Sequence, residues 1–143
     1  MRDILFHGKS PIENRWIEGL LVQVGKDYSV IRKLGKDGKG YYDYIVYPYT
    51  VSQFTGLTDK NGKKIFEGDI IHVNYTISVP AGVGPLLRIV KHSIDYKSVV
   101  AFDNCRFCLK KQNGEIFEMH LVPGEVEVIG NIHDNPELLE VTK

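Results

Sequence analysis

Residues 56–64 hold Gly56, Asp59, Lys60, Gly62, Lys63 and Lys64, a set of types that first suggests phosphate chemistry. A phosphate loop needs four residues between its glycines, then Lys followed by Ser or Thr, so that the backbone curls around the phosphates and a hydroxyl reaches magnesium. Here five residues separate Gly56 from Gly62, and Lys64 stands where the hydroxyl belongs. No long helical pattern follows to aim a positive dipole end at an anion. A calcium loop fails as well: Asp59 and Asn61 begin the rhythm, but glycine arrives at the fourth place instead of the sixth. The stretch reads as a hairpin. Asn61-Gly62 supplies the positive-φ turn, the lysines keep its tip solvated, and Glu67-Gly68-Asp69 makes a second tight turn.

Cys105 and Cys108 have the spacing of a zinc knuckle or a redox pair. A structural zinc site needs four converging ligands, and no second cysteine pair exists to complete one. His7, His72, His92, His120 and His133 are scattered without a metal-ligand spacing. If 105–108 is a strand, its two thiols point to opposite faces, so both are expected to be buried or half-buried strand cysteines. No nucleophile stands beside a base in a recognisable context. Glu67, Asp69, Asp95 and Asp103 default to turn and surface positions unless the fold pairs them. No catalytic residue, metal or cofactor is therefore assigned.

Five tyrosines, Tyr41, Tyr42, Tyr44, Tyr47 and Tyr49, fall close together, with Asp43 as the charge among them. Aromatic platforms that stack unpaired bases normally carry interleaved Lys and Arg, which this run lacks. Tyrosine also favours protein interfaces, and Pro48 marks a strand edge or end. Tyr42, Tyr44, Tyr47 and Tyr49 are the candidate interface.

The elements that must position these residues read as β. Turn pairs Asp37-Gly38, Asn61-Gly62 and Asn113-Gly114 punctuate strand-like material. The runs YSVIRKL and YYDYIVY should pair, RWIEGLLVQV adds a strand, and RFCLKK should pair with EIFEMHL, with Phe117, Met119 and Leu121 on one face. DIIHVNY is a strand, whereas ISVPAGVGP carries two prolines and two glycines and is expected to be a loop. LLRIVKH, SVVAF and EVEVIGNI follow as short strands. Asn135 can cap a helical turn that opens with Pro136. A compact barrel of about five strands fits 66–132, giving an N-terminal β lobe over 1–53 and a barrel with a C-terminal tail over 54–143.

The 143 residues suffice for one domain or two small lobes, and 18 basic residues balance 18 acidic ones. A neutral field gives no reason to expect strong attraction to nucleic acid or to an anionic membrane. The balance hides a gradient: residues 83–111 carry six Lys/Arg against two Asp, and residues 112–143 carry seven acids against one Lys. Interleaving of these residues within one sheet would cancel it. No apolar run approaches the length of a membrane span, and MRDILFHGKS lacks the apolar core and cleavage site of a signal peptide, so a cytoplasmic protein is expected.

The blocks FTGLTDKNGKKIFEGDII and VEVIGNIHDNPELLE, together with ILFHGK ahead of Trp16, resemble the YopX family of phage and prophage proteins in order and distance. His7, where many relatives have arginine, and the 76–86 segment depart from the pattern. The resemblance implies a mainly β protein containing an SH3-like barrel, encoded on mobile elements, with possible subunit association, and it implies no activity. The expected function is a non-enzymatic binding or adaptor protein working as a homo-oligomer in the bacterial cytoplasm. The alternatives are a nucleic-acid-binding SH3-like module, with Lys60, Lys63, Lys64, Arg88, Lys91 and Lys97 as contacts, and a small enzyme assembled from separated Asp and His residues.

Overall fold

The structure is a computed structural model describing residues 3–119 and 125–140. The chain forms two compact units, Met1–Thr58 with Lys64–Gly68, and Asp59–Lys63 with Asp69–Lys143. Residues on either side of Gln53 belong to one strand of the first unit. Among the described residues, no helix is long and apolar enough to cross a membrane.

The first unit is a six-stranded antiparallel sheet made of β1 (Phe6–Lys9), β2 (Trp16–Gln23), β3 (Ser29–Leu34), β4 (Tyr41–Val46), β5 (Ser52–Thr58) and β6 (Lys64–Phe66). Its spatial order is β4-β3-β2-β1-β5-β6, so β4 is an edge. The predicted pairing of YSVIRKL with YYDYIVY is present, from Ser29 opposite Val46 to Leu34 opposite Tyr41. Ile17, Ile31 and Val46 are fully buried and form the core, with Leu21, Tyr44 and Val51 against it. Close strand approach requires glycine at one position. A Cβ on Gly19 would lie 2.2 Å from the Arg32 carbonyl oxygen, so no side chain fits where β2 passes β3.

The second unit is a five-stranded antiparallel sheet of β7 (Asp69–Ala81), β8 (Arg88–Asp103), β9 (Arg106–Lys110), β10 (Ile116–Glu118) and β11 (Val126–Asn131), in the order β10-β9-β8-β7-β11. Ile70, Ile71, Val73, Val100, Cys108, Leu109, Val126 and Val128 are buried. Ile70 and Ile71 are adjacent and both fully buried, so both faces of β7 are covered at its start.

Three expectations about the strands are corrected here. Residues 77–81 are not a loop: β7 runs unbroken through Pro80 to Ala81, and the glycines lie beyond it, Gly82 and Gly84 taking φ of 98° and 55° at the turn. Proline is excluded from central strands because it removes a ladder donor. Past Val73, however, β11 no longer pairs with β7, and among the described residues Pro80 sits at an edge where the missing N–H has no strand to serve. LLRIVKH and SVVAF are likewise parts of one strand, β8, which is held in a single register by its pairing with β7 from Val99 opposite Ile70 to Arg88 opposite Ala81. The sheet is also open. Barrel closure requires the two edge strands to pair with a fixed stagger, and among the described residues β10 pairs only with β9 and β11 only with β7.

The C-terminal helical turn is present as a 3-10 turn over Pro136–Leu139, but Asn135 makes no side-chain cap bond. Its Oδ1 instead accepts from the Asn131 N–H at 3.4 Å. The same oxygen lies 2.6 Å from where a Cβ on Gly130 would stand, which accounts for glycine there by close approach and not by φ.

Candidate functional site

The lysine-rich turn is built around Asp59, which is 3% exposed. Its Oδ1 accepts the backbone N–H groups of Asn61 and Lys63, both at 2.9 Å, and its Oδ2 accepts that of Val128 at 3.0 Å. Burial would push this carboxyl up. The three N–H donors and the nearby Lys63 outweigh it and hold the group below its ordinary value. Gly62 takes the expected positive φ, 77°. Lys60 bonds Glu127 at 2.9 Å and holds that carboxyl low, and the Lys60 N–H reaches the Val126 carbonyl at 3.0 Å. Lys64 pairs with Glu18 at 2.6 Å. Lys60 and Lys64 thus serve local pairs, and Lys63 gives its backbone N–H to Asp59.

Lys97 donates to the Leu138 carbonyl at 3.3 Å. Arg88 and Lys91 lie on β8 opposite Ala81 and Ser78, three residues apart and therefore on opposite faces of the strand pair. Acids and bases of the two opposed segments do interleave, since Arg106 bonds Glu118 at 2.6 Å and Lys111 approaches Glu115 at 3.7 Å.

Beyond Val73 on β7 and Val99 on β8, the strand pair has no outer neighbour among the described residues and continues as a two-stranded ribbon. Directly opposed residues share a face in an antiparallel pair. One face carries Tyr75 with Ile94, Ile77 with His92, Val79 with Val90 and Ala81 with Arg88. The other carries Asn74 with Asp95, Thr76 with Ser93, Ser78 with Lys91 and Pro80 with Ile89. The ribbon is therefore amphipathic. Its end is apolar: Val83, Leu86 and Leu87 are 79%, 77% and 58% exposed. A lone hairpin is marginal in water and an exposed apolar stripe is unusual for a surface that stays bare.

At the ribbon's base the fold pairs two residues that are far apart in sequence. His72 Nε2 lies 2.9 Å from Asp95 Oδ1, and Asn74 donates to Asp95 Oδ2 at 3.1 Å. A recess of about 320 Å³ beside them is lined by Lys60, His72, Asn74, Glu125, Val126 and Glu127. His92 is on the apolar ribbon face, and His120 and Leu121 lie outside the described residues. Among the described residues no three His, Cys, Asp or Glu side chains converge as a metal site would require.

The cysteine expectation is half right. Cys108 is a buried strand residue, but Cys105 is exposed and outside any strand. With Asn104 at φ 49° and Cys105 at φ 61°, the pair forms the positive-φ turn joining β8 to β9, a geometry normally marked by Asn-Gly and so not flagged by Asn-Cys.

The tyrosines occupy β4 and the 3-10 turn after it, Pro48–Thr50. Tyr47 and Tyr49 stack at 5.3 Å, and Tyr49 is 69% exposed. Tyr42 stands opposite Lys33 and Tyr44 opposite Ile31, on the face that carries the Val46 and Ile31 core. Asp43 points the other way and is gripped by the Arg32 guanidinium through two bonds, of 2.7 and 2.9 Å, which hold its carboxyl below the usual range. Arg15 lies over the Tyr44 ring, 5.6 Å from its centroid. Arg32 lies on β3 and Arg15 just ahead of β2, so the tyrosine run alone did not reveal them.

These features define a mainly β protein of two antiparallel sheets, the second drawn out into an amphipathic ribbon. The family model of the YopX protein matches residues 5–140, and the chain belongs to the YopX family. The crystal structure of protein EF1440 from Enterococcus faecalis is similar in fold, with a TM-score of 0.55 and 24% identity over 98% of this chain and 100% of that one. No curated protein matches the chain.

Proposed function

We propose that this chain is a non-enzymatic binding or adaptor protein that works as a homo-oligomer, encoded by a phage or prophage and acting in the cytoplasm of the bacterial host. The observation that carries the reading is the ribbon, whose Tyr75, Ile77, Val79, Val90 and Ile94 face has no covering element among the described residues. Burying such a stripe is favourable at roughly 25 cal/mol per Å², and a second copy supplies the same self-complementary surface, as two-fold interfaces require. The exposed Tyr47–Tyr49 stack extends the candidate interface. In this reading the open five-stranded sheet retains the SH3-like character that the family resemblance implies, with free edges in place of closure.

Light scattering across a range of concentrations tests the reading. Wild type is expected to exceed monomer mass, and a variant in which 76–93 is replaced by Asn-Gly is expected to be monomeric with unchanged near-ultraviolet dichroism. A strictly monomeric wild type that captures no host or phage protein would refute it.

One observation favours a second reading, a small hydrolytic enzyme: the His72–Asp95 pair beside its recess. An oriented imidazole is the usual general base. Turnover of p-nitrophenyl esters or phosphates that disappears in His72→Ala would support it, and no turnover by wild type would end it.

A further inference from the structure

We infer that the β3–β4 hairpin of the first unit carries a nucleotide-binding recess, in which Tyr42 stacks on a base while Lys33, Lys36 and Arg15 take the phosphate. The recess has a volume of about 430 Å³ and is lined by Arg15, Lys33, Lys36, Asp37, Tyr42 and Tyr44, together with Leu34 and Gly35. That volume lies within the roughly 300–1,000 Å³ typical of small-molecule sites.

Three observations select the ligand chemistry. The first is an aromatic ring placed before any ligand arrives. Tyr42 is 57% exposed, yet its ring edge lies so close to the Gly35 backbone that a Cβ there would stand 2.8 Å from it. Glycine leaves room for the ring beside the chain, and at 57% exposure the ring keeps surface open to stack. The second is charge. Three cations line the recess against one acid, and among the described residues neither Lys33 nor Lys36 is ion-paired. Asp37 has its Oδ1 engaged by the Lys39 N–H at 2.9 Å. Asp43, the acid nearest in sequence to the rings, faces the opposite side of the sheet in its Arg32 clamp. The third is a fixed guanidinium: Arg15 is held over Tyr44 and lies 3.6 Å from Glu13, a loose pair that a phosphate can displace.

Aromatic faces combined with a cationic wall match a base and its phosphate. An inorganic anion would use the lysines and leave Tyr42 idle. The same chemistry is offered by a free nucleotide and by a single-stranded nucleic acid, and the probes separate these sources.

The test measures binding of adenosine monophosphate by calorimetry, of a short labelled single-stranded oligonucleotide by fluorescence anisotropy, and of inorganic phosphate as control. Tyr42→Ala is expected to weaken binding by about tenfold, the loss of one stacked base. Tyr42→Phe keeps the ring and is expected to bind like wild type, which separates stacking from any disturbance of the hairpin. Lys33→Glu with Lys36→Glu is expected to abolish binding. On the oligonucleotide, Lys33→Ala is expected to reduce the salt slope by about 0.7 if it contacts one phosphate. Binding of the mononucleotide with this variant pattern supports a free-nucleotide site, and binding of the oligonucleotide alone supports a single-strand site. Absence of binding by both at low salt overturns the inference, as does binding indifferent to Tyr42→Ala or matched by inorganic phosphate.

Discussion

Replacing Asp59 by alanine should unfold the lysine-rich turn from within. Three backbone N–H groups lose their acceptor: those of Asn61 and Lys63 within the turn and that of Val128 on β11. The Val128 bond is buried and charge-assisted, a class worth about 1.5–3 kcal/mol. The two turn bonds are partly buried, and at about 0.5–1.5 kcal/mol each they bring the sum to roughly 2.5–6 kcal/mol. Water can reach the turn donors once the carboxylate is gone, so a loss of about 3 kcal/mol is expected, lowering the melting temperature by roughly 10 °C. Asp59→Asn should cost less at the turn but still lose Val128, because an amide N–H₂ turned toward that N–H is repulsive.

The pH dependence gives a second, independent signature. The folded pKa of Asp59 lies below its ordinary value of 3.8, so its contribution is complete above that value and is lost as pH falls through the folded pKa. Urea unfolding from pH 6 downward should therefore show wild type and Asp59→Ala converging in acid. Variants within about 0.5 kcal/mol of wild type, with parallel pH profiles, would refute the account, because that margin is what a neutral surface substitution gives.

Gly19→Ala is expected to be severely destabilising, by about 3 kcal/mol or more, since its methyl would meet a backbone carbonyl that cannot rotate away; a chemical denaturation midpoint close to wild type would contradict this. The two thiols should differ sharply. Cys105 should react with a disulfide reagent in the native protein, and Cys108 only after denaturant is added, so two thiols reacting in the native protein would contradict the burial of Cys108.

Local chemistry explains why some elements could be read from residues alone. Gly38, Gly62 and Gly114 have φ of 69°, 77° and 86°, and each follows an Asp or Asn that forms a turn by itself. Strand pairing across those turns is then short-range and came out correctly. The ribbon was hidden by its composition: prolines and glycines argue against a central strand, and nothing local to Pro80 reports that β7 has lost its outer neighbour. Asp59 was hidden by distance, because its decisive partner Val128 lies 69 residues on. The hairpin recess was hidden for the same reason. Tyr42 and Tyr44 stand beside one acid in sequence, but register places Lys33 opposite Tyr42, and the bend ahead of β2 brings Arg15 over Tyr44.

The unbroken path of β7 and β8 from buried sheet to exposed end has a mechanical consequence. Ile71 and Val73, locked in the interior opposite Ser98 and Tyr96, decide by alternation which side Ile77 and Val79 show to the outside. From Val73 to Ala81 that decision is carried about 26 Å with no joint along the way. A slip by a single residue would turn the greasy side into the polar one, so the side this arm shows to its surroundings is dictated by side chains buried far from its tip.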